Sequence, residues 1–221
     1  MKTIQLFFYL FALFYFNSAF AQEELGNGML FPQFENGTVV FKNGVRSAAS
    51  LNYNIIQQEM LFKSSDSTIM AIANPSEIIV IIIEERRFFP VTSGGIFYEE
   101  IPAGKGSFFI QRKAIMLSQG KAAGYGGYSA TSSITSYGTL YSGSGNVINL
   151  NPDEKFKLKN NNFYYLKSGK NYKKFSSAKT LGKLFKGQES KIEKFANEQS
   201  INFSSIDDVT MIVEYGFSLI N

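Results

Sequence analysis

The chain contains no cysteine, no histidine and no tryptophan. Each absence removes a class of chemistry. Without a thiol there is no disulfide, no thiolate nucleophile and no sulfur ligand for zinc or an iron–sulfur cluster. Lipid attachment at an N-terminal cysteine is excluded for the same reason. Without an imidazole there is no Ser-His-Asp triad, no histidine base and no histidine metal ligand. No cofactor is expected. Charged side chains are also scarce, at 18% of the 221 residues.

Apolar residues make up 44% of the chain, with 22 Phe and 12 Tyr. That is ample material for the core of one domain, or of one domain with a small appendage. A cysteine-free exported chain of this size must hold together by packing alone, which suits a bacterial envelope. Export is expected from the N-terminus. Lys2 precedes an apolar run over 4–16 broken only by Gln5, and Ala19-Phe20-Ala21 supplies a small-x-small cleavage site. The pattern is that of a signal peptide over 1–21, cleaved after Ala21. The run is shorter than the roughly 20 residues a membrane span needs. No later stretch reaches that length, so no transmembrane segment is expected in the mature chain. The expected location is periplasmic or outer-surface.

Residues 22–175 read as a β domain. Short apolar runs at 38–41, 49–53, 59–62, 68–72, 78–83, 87–89, 96–101 and 107–112 alternate with turn residues. Asn43-Gly44 is a strong hairpin dipeptide. The β-branched run 78–83 reads as a strand buried on both faces. Strands resume at 146–150, 155–158 and 163–166. Spacing this close predicts an antiparallel meander forming a sandwich, roll or partial barrel. From Ser176 the apolar period becomes helical. Leu181, Leu184 and Phe185, then Ile192, Phe195 and Ala196, then Val209, Ile212, Val213 and Phe217 each line one face. A helical tail over 176–221 is expected, packed together or against the sheet. The fold class is therefore mainly β with a short α-helical C-terminal tail, α+β overall.

Two stretches are unusual in composition. Residues 120–145 hold 7 Gly, 6 Ser, 3 Thr and 4 Tyr among 26 positions. Such a segment is expected to be a surface loop. As a contact loop it would offer Tyr125, Tyr128, Tyr137 and Tyr141 to a partner. Residues 151–186 carry 10 Lys and 2 acids, whereas 187–221 carry 2 Lys and 6 acids. Within the basic block, Lys155, Lys157, Lys167, Lys170, Lys173 and Lys174 are candidate contacts for an anionic partner. The alternation in Lys155-Phe-Lys-Leu158 also fits a solvated face over inward aromatics. The block has no Arg, which lowers the case for bidentate phosphate recognition, and no nucleic-acid partner is expected.

Catalytic motifs do not survive inspection. Ser176-Ser-Ala-Lys179 matches S-x-x-K, but the companion motifs of the penicillin-binding group are absent. Ser177 is better explained as a helix N-cap. Gly124-Tyr-Gly126-Gly127 lacks the third glycine of a nucleotide loop. Glu84-Glu85 and Glu99-Glu100 are adjacent pairs, and neighbours on a strand face opposite ways. A glycosidase would have to combine Glu59, Glu85 or Glu99 across strands. The run 84–87 otherwise reads as charged gatekeepers beside the 78–83 strand. Asp207-Asp208 fits the first turn of a helix.

Phe34-Glu-Asn-Gly-Thr-Val-Val-Phe-Lys-Asn-Gly44, running into Ala49-Ser-Leu-Asn-Tyr-Asn54 and Met60-Leu-Phe62, resembles the opening of exported proteins of unknown function from Bacteroidota-type bacteria. Lys179-Thr-Leu-Gly-Lys-Leu-Phe185, Ile192-Glu-Lys-Phe195 and Ile201-Asn-Phe-Ser-Ser-Ile-Asp-Asp-Val209 are similar to a helical tail of such proteins. The resemblance covers about a third of the chain. It implies an envelope location and carries no activity, cofactor or site residue.

The expected function is that of a non-enzymatic binding or structural module in the envelope, with a glycan, lipid or protein as partner. One alternative is a carrier of a hydrophobic ligand or lipid in a β roll covered by helices. Another is a carboxylate-based hydrolase.

Overall fold

A computed structural model describes residues 28–91, 95–118, 121–122, 128–129 and 156–220. The expected signal peptide lies outside them. The described chain is mainly β, as its runs of alternating residues require.

The first four strands, β1 (Glu35–Phe41), β2 (Arg46–Asn54), β3 (Glu59–Lys63) and β4 (Ile69–Ala71), form a meander. The β1–β2 turn is a three-residue loop. Phe41 N–H donates to Val45 O, and Gly44 takes φ +84°. That left-handed position is where a glycine is needed. A 3-10 turn at Pro75–Glu77 then returns the chain to the far side of β1. There β5 (Ile78–Ile83), β6 (Arg86–Pro90), β7 (Phe97–Ala103) and β8 (Gly106–Gln111) meander onward. β9 (Ala114–Ser118) leaves the sheet and pairs with β12 (Phe156–Asn160). β10 (Lys121–Ala122) pairs with β11 (Tyr128–Ser129). β13 (Phe163–Ser168) rejoins beside β8, followed by β14 (Asn171–Phe175). The result is a ten-stranded antiparallel sheet of order β14-β13-β8-β7-β6-β5-β1-β2-β3-β4, curled but not closed into a barrel.

The curl is visible in side-chain contacts. Tyr53 of β2 stacks on Phe88 of β6 with ring centroids 6.0 Å apart, although β1 and β5 lie between those strands. The Tyr53 hydroxyl donates to the carbonyl of Phe97 on β7. The concave face thus encloses a first core of Val39, Leu51, Tyr53, Met60, Ile81, Ile83, Phe88 and Phe97. Leu30 and Phe31 plug it, held by the buried Asn52 amide. Asn52 accepts from Phe31 N–H and donates to the carbonyls of Phe31 and Gln33.

The 78–83 strand departs from its expected burial. The 78–83 strand is not buried on both faces. Ile78, Ile81 and Ile83 are buried, but Val80 and Ile82 are only half-buried, and Ile79 is 48% exposed. A register shift between Val40 and Phe41 leaves Ile79 without a partner on β1, and Val80 and Ile82 point to the face opposite the core residues Ile81 and Ile83.

A second core lies on the same face of β7, β8, β13 and β14. Helices α1 (Ala178–Gly182), α2 (Glu189–Glu198) and α3 (Ile206–Ser218) cover it. Ser177 caps α1, as its position suggests. Its Oγ accepts from Thr180 N–H, and Thr180 Oγ1 accepts from Ser177 N–H. Ser205 caps α3 through its Oγ alone, which accepts from Asp208 N–H, while the Asp208 carboxylate accepts from Asn202 N–H. α1 is shorter than the 181/184/185 spacing implies, ending at Gly182. Gly216 lets α3 approach Phe185 so closely that a Cβ there would lie 2.6 Å from the ring.

Candidate functional site

Strand alternation sends every second residue of β6, β7, β8, β13 and β14 to the face away from the helices. The register puts Phe89 opposite Tyr98, Glu100 opposite Phe109, Phe109 opposite Tyr165, and Tyr172 opposite Lys167. A continuous aromatic patch results. Tyr98 stacks on Tyr165 at 4.5 Å and meets Tyr172 edge-on at 5.1 Å. Phe109 meets Tyr172 at 5.0 Å and Phe89 at 5.8 Å. Tyr98 and Phe109 form a buried floor, and Phe89, Tyr165 and Tyr172 a half-buried rim.

Two lysines lie on this face, one of them over the patch. The Lys167 ammonium lies 5.9 Å from the ring centres of Phe89, Phe109 and Tyr172. Lys174 lies 3.4 Å above Phe163. Such contacts contribute about 0.5–1 kcal/mol each when exposed. Neither lysine has an acidic partner among the described residues. The nearby Glu100 is already engaged, accepting from Ser107 Oγ at 2.8 Å and pairing with Arg87 at 3.7 Å. Tyr165 donates to Gln111 Oε1 at 2.8 Å. Burial raises the Tyr165 and Tyr172 hydroxyls above the ordinary tyrosine value. They are therefore neutral at physiological pH, offering ring faces and hydrogen bonds rather than a phenolate base.

The structure separates the ten candidate residues. Lys167 joins the aromatic patch, and Lys174 sits beside it on Phe163, opposite Tyr165 in register. Lys170 is exposed at the β13–β14 turn beside Gly169. Lys173 is exposed on the opposite face, across from Leu166. Lys157 is exposed on β12, in the ribbon outside the main sheet. Lys155, Tyr125, Tyr137 and Tyr141 lie outside the described residues, and Tyr128 is placed only as part of β11. The inward-aromatic reading holds for Tyr164 and Phe175, which are in the second core. It fails for Tyr165 and Tyr172, which the pleat turns outward.

A second constellation occupies the concave face. Glu99 is 2% exposed. It accepts from Arg86 Nε at 2.6 Å, Arg86 Nη2 at 3.0 Å and Arg112 Nε at 2.5 Å. Arg86 also lies over the Phe31 ring at 4.7 Å. Phe88 of the first core and Ile110 of the second flank Glu99 in register, so the triad marks the seam between the cores. Burial works to raise the Glu99 carboxyl, but Arg112 and Arg86 together overcome it and hold the group below the usual glutamate value. A carboxylate so fixed in its charged form is a poor general acid. Glu100, as expected of its neighbour, faces the other way. Arg86 is a clamp residue, where the sequence suggested a gatekeeper.

A cavity of about 260 Å3 opens beside β3 and β4, lined by Glu59, Met60, residues 71–73, Pro75 and Gly95. It is smaller than the 300–1,000 Å3 typical of ligand pockets. Among the described residues no group of three or more carboxylates could hold a metal ion, and no helix is long and apolar enough to cross a membrane. The chain matches no protein-family model, and no curated protein and no solved structure is significantly similar to it.

Proposed function

We propose that this chain is an exported, non-enzymatic binding module of a bacterial envelope, and that it holds an envelope glycan on the aromatic face of β6, β7, β8, β13 and β14. The observation that carries the reading is the patch of five rings topped by Lys167, a cation with no acidic partner among the described residues. Neutral tyrosines present flat apolar faces with a hydroxyl at the rim, and that chemistry suits a sugar ring better than an acyl chain. Export rests on the N-terminal pattern and envelope location on the resemblance given above. A non-enzymatic role is supported by the missing imidazole and thiol, and by the engagement of Glu99 with two guanidinium groups.

Affinity electrophoresis of the purified protein through gels containing envelope polysaccharide fractions tests this. Retardation that disappears in a Tyr165→Ala/Tyr172→Ala double variant is the expected result. Retardation unchanged in that variant, degradation of the polysaccharide, or capture of a protein and no glycan would sink the proposal.

A further inference from the structure

The sheet ends in two unlike edges. β14 carries Lys173 and Lys174, charges of the kind that discourage a further strand. β4 carries no charge at all. Ile69 is 44% and Met70 41% exposed. Its ladder to β3 fixes which of its groups are unused. Ser64 N–H donates to Thr68 O at 2.9 Å, and Ile72 N–H donates to Met60 O at 3.0 Å. Antiparallel alternation therefore turns the N–H and C=O of Ile69 and Ala71 outward. Among the described residues, only β3 pairs with β4.

The 260 Å3 cavity begins where this edge ends, at residues 71–73. Its ionisable lining residue, Glu59, has no ion pair and no side-chain hydrogen bond among the described residues. A free edge and an uncompensated carboxylate thus adjoin. We infer that β4 takes an extended segment of a partner polypeptide as an added strand, and that a lysine or arginine of that segment enters the cavity to meet Glu59. Main-chain bonds to Ile69 and Ala71 supply affinity, and the cavity supplies selection. Three edge residues make few such bonds, so the charged anchor decides which segments bind. The cavity's size suits one long side chain better than a free small molecule.

Panning a random twelve-residue peptide library, displayed on phage, against the immobilised protein tests this. Parallel selections use Glu59→Gln, which keeps shape and removes charge, and Ile69→Pro, which deletes an N–H that β3 does not use. Met70→Lys is a second edge variant should proline perturb folding, which circular dichroism reports. The expected peptides alternate β-branched residues around one Lys or Arg. They lose affinity about tenfold or more on Glu59→Gln, the loss of one charge-assisted contact, and at least as much on the edge variant. The inference is overturned by no enriched peptides, by enriched peptides without a basic residue, or by full affinity retained on either variant.

Discussion

One face of one sheet is covered in two different ways. Over β1–β3, β5 and β6, the sheet curls until Tyr53 reaches Phe88, and its own strands make the cover. Over β7, β8, β13 and β14, the sheet stays open and α1–α3 supply the cover. The difference follows from what the chain has to hand. The first half is a run of hairpins with no helix-forming segment, so its apolar face can be hidden only by curling and by the Leu30–Phe31 plug. The second half is followed by segments of helical period, and their apolar stripes need a partner as much as the sheet does. Where the two covers meet, neither is complete. There the face carries Arg86, Glu99 and Arg112 rather than another apolar row.

The largest test of this comparison is Glu99→Ala. It leaves two guanidinium groups at the seam without their carboxylate, and breaking a buried pair in this way costs about 3–5 kcal/mol. Because the triad touches both cores, a single urea transition should shift to lower concentration. Two separated transitions would mean that the cores fold independently and that the seam is only a boundary. Next is Phe88→Ala, a fully buried ring of the curled half. A loss of about 3–5 kcal/mol is expected, read in the same titration. Amide exchange should rise in β1–β3 before it rises in α2 and α3.

Acid gives a graded version of the first test. The folded Glu99 carboxyl lies below its unfolded value of about 4.3. Its contribution is therefore complete above that pH and is lost as pH falls through the lower, folded value. Melting temperature should decline with acidification below about pH 4, and a Glu99→Gln variant should lack that component. The smallest effect is Ser177→Ala. Loss of one helix cap costs about 1 kcal/mol and should loosen α1 without altering exchange in the curled half.

Much of this architecture is legible in the sequence. Strands up to β8 follow from alternation and turn residues, and Ser177 and Ser205 announce their helices by chemistry that is local to four residues. The opposite facing of Glu99 and Glu100 needs only the pleat. What was hidden is non-local. Glu99 meets Arg86 and Arg112 each across 13 residues, and only the β6–β7–β8 register brings them together. β14 is hidden in the sequence because Lys173 and Lys174 leave it little apolar pattern. The aromatic patch was half visible. Tyr165 and Lys167 share a face by spacing alone, but Phe89, Tyr98 and Phe109 enter from strands far back in the chain.

The ribbon of β9 and β12 sets Ser118 directly across from Phe156. The chain therefore departs and returns through one narrow doorway, one strand spacing wide. For an engineer this is a splice point. A tight turn joining those two residues would complete a hairpin of β9 and β12 outside the main sheet.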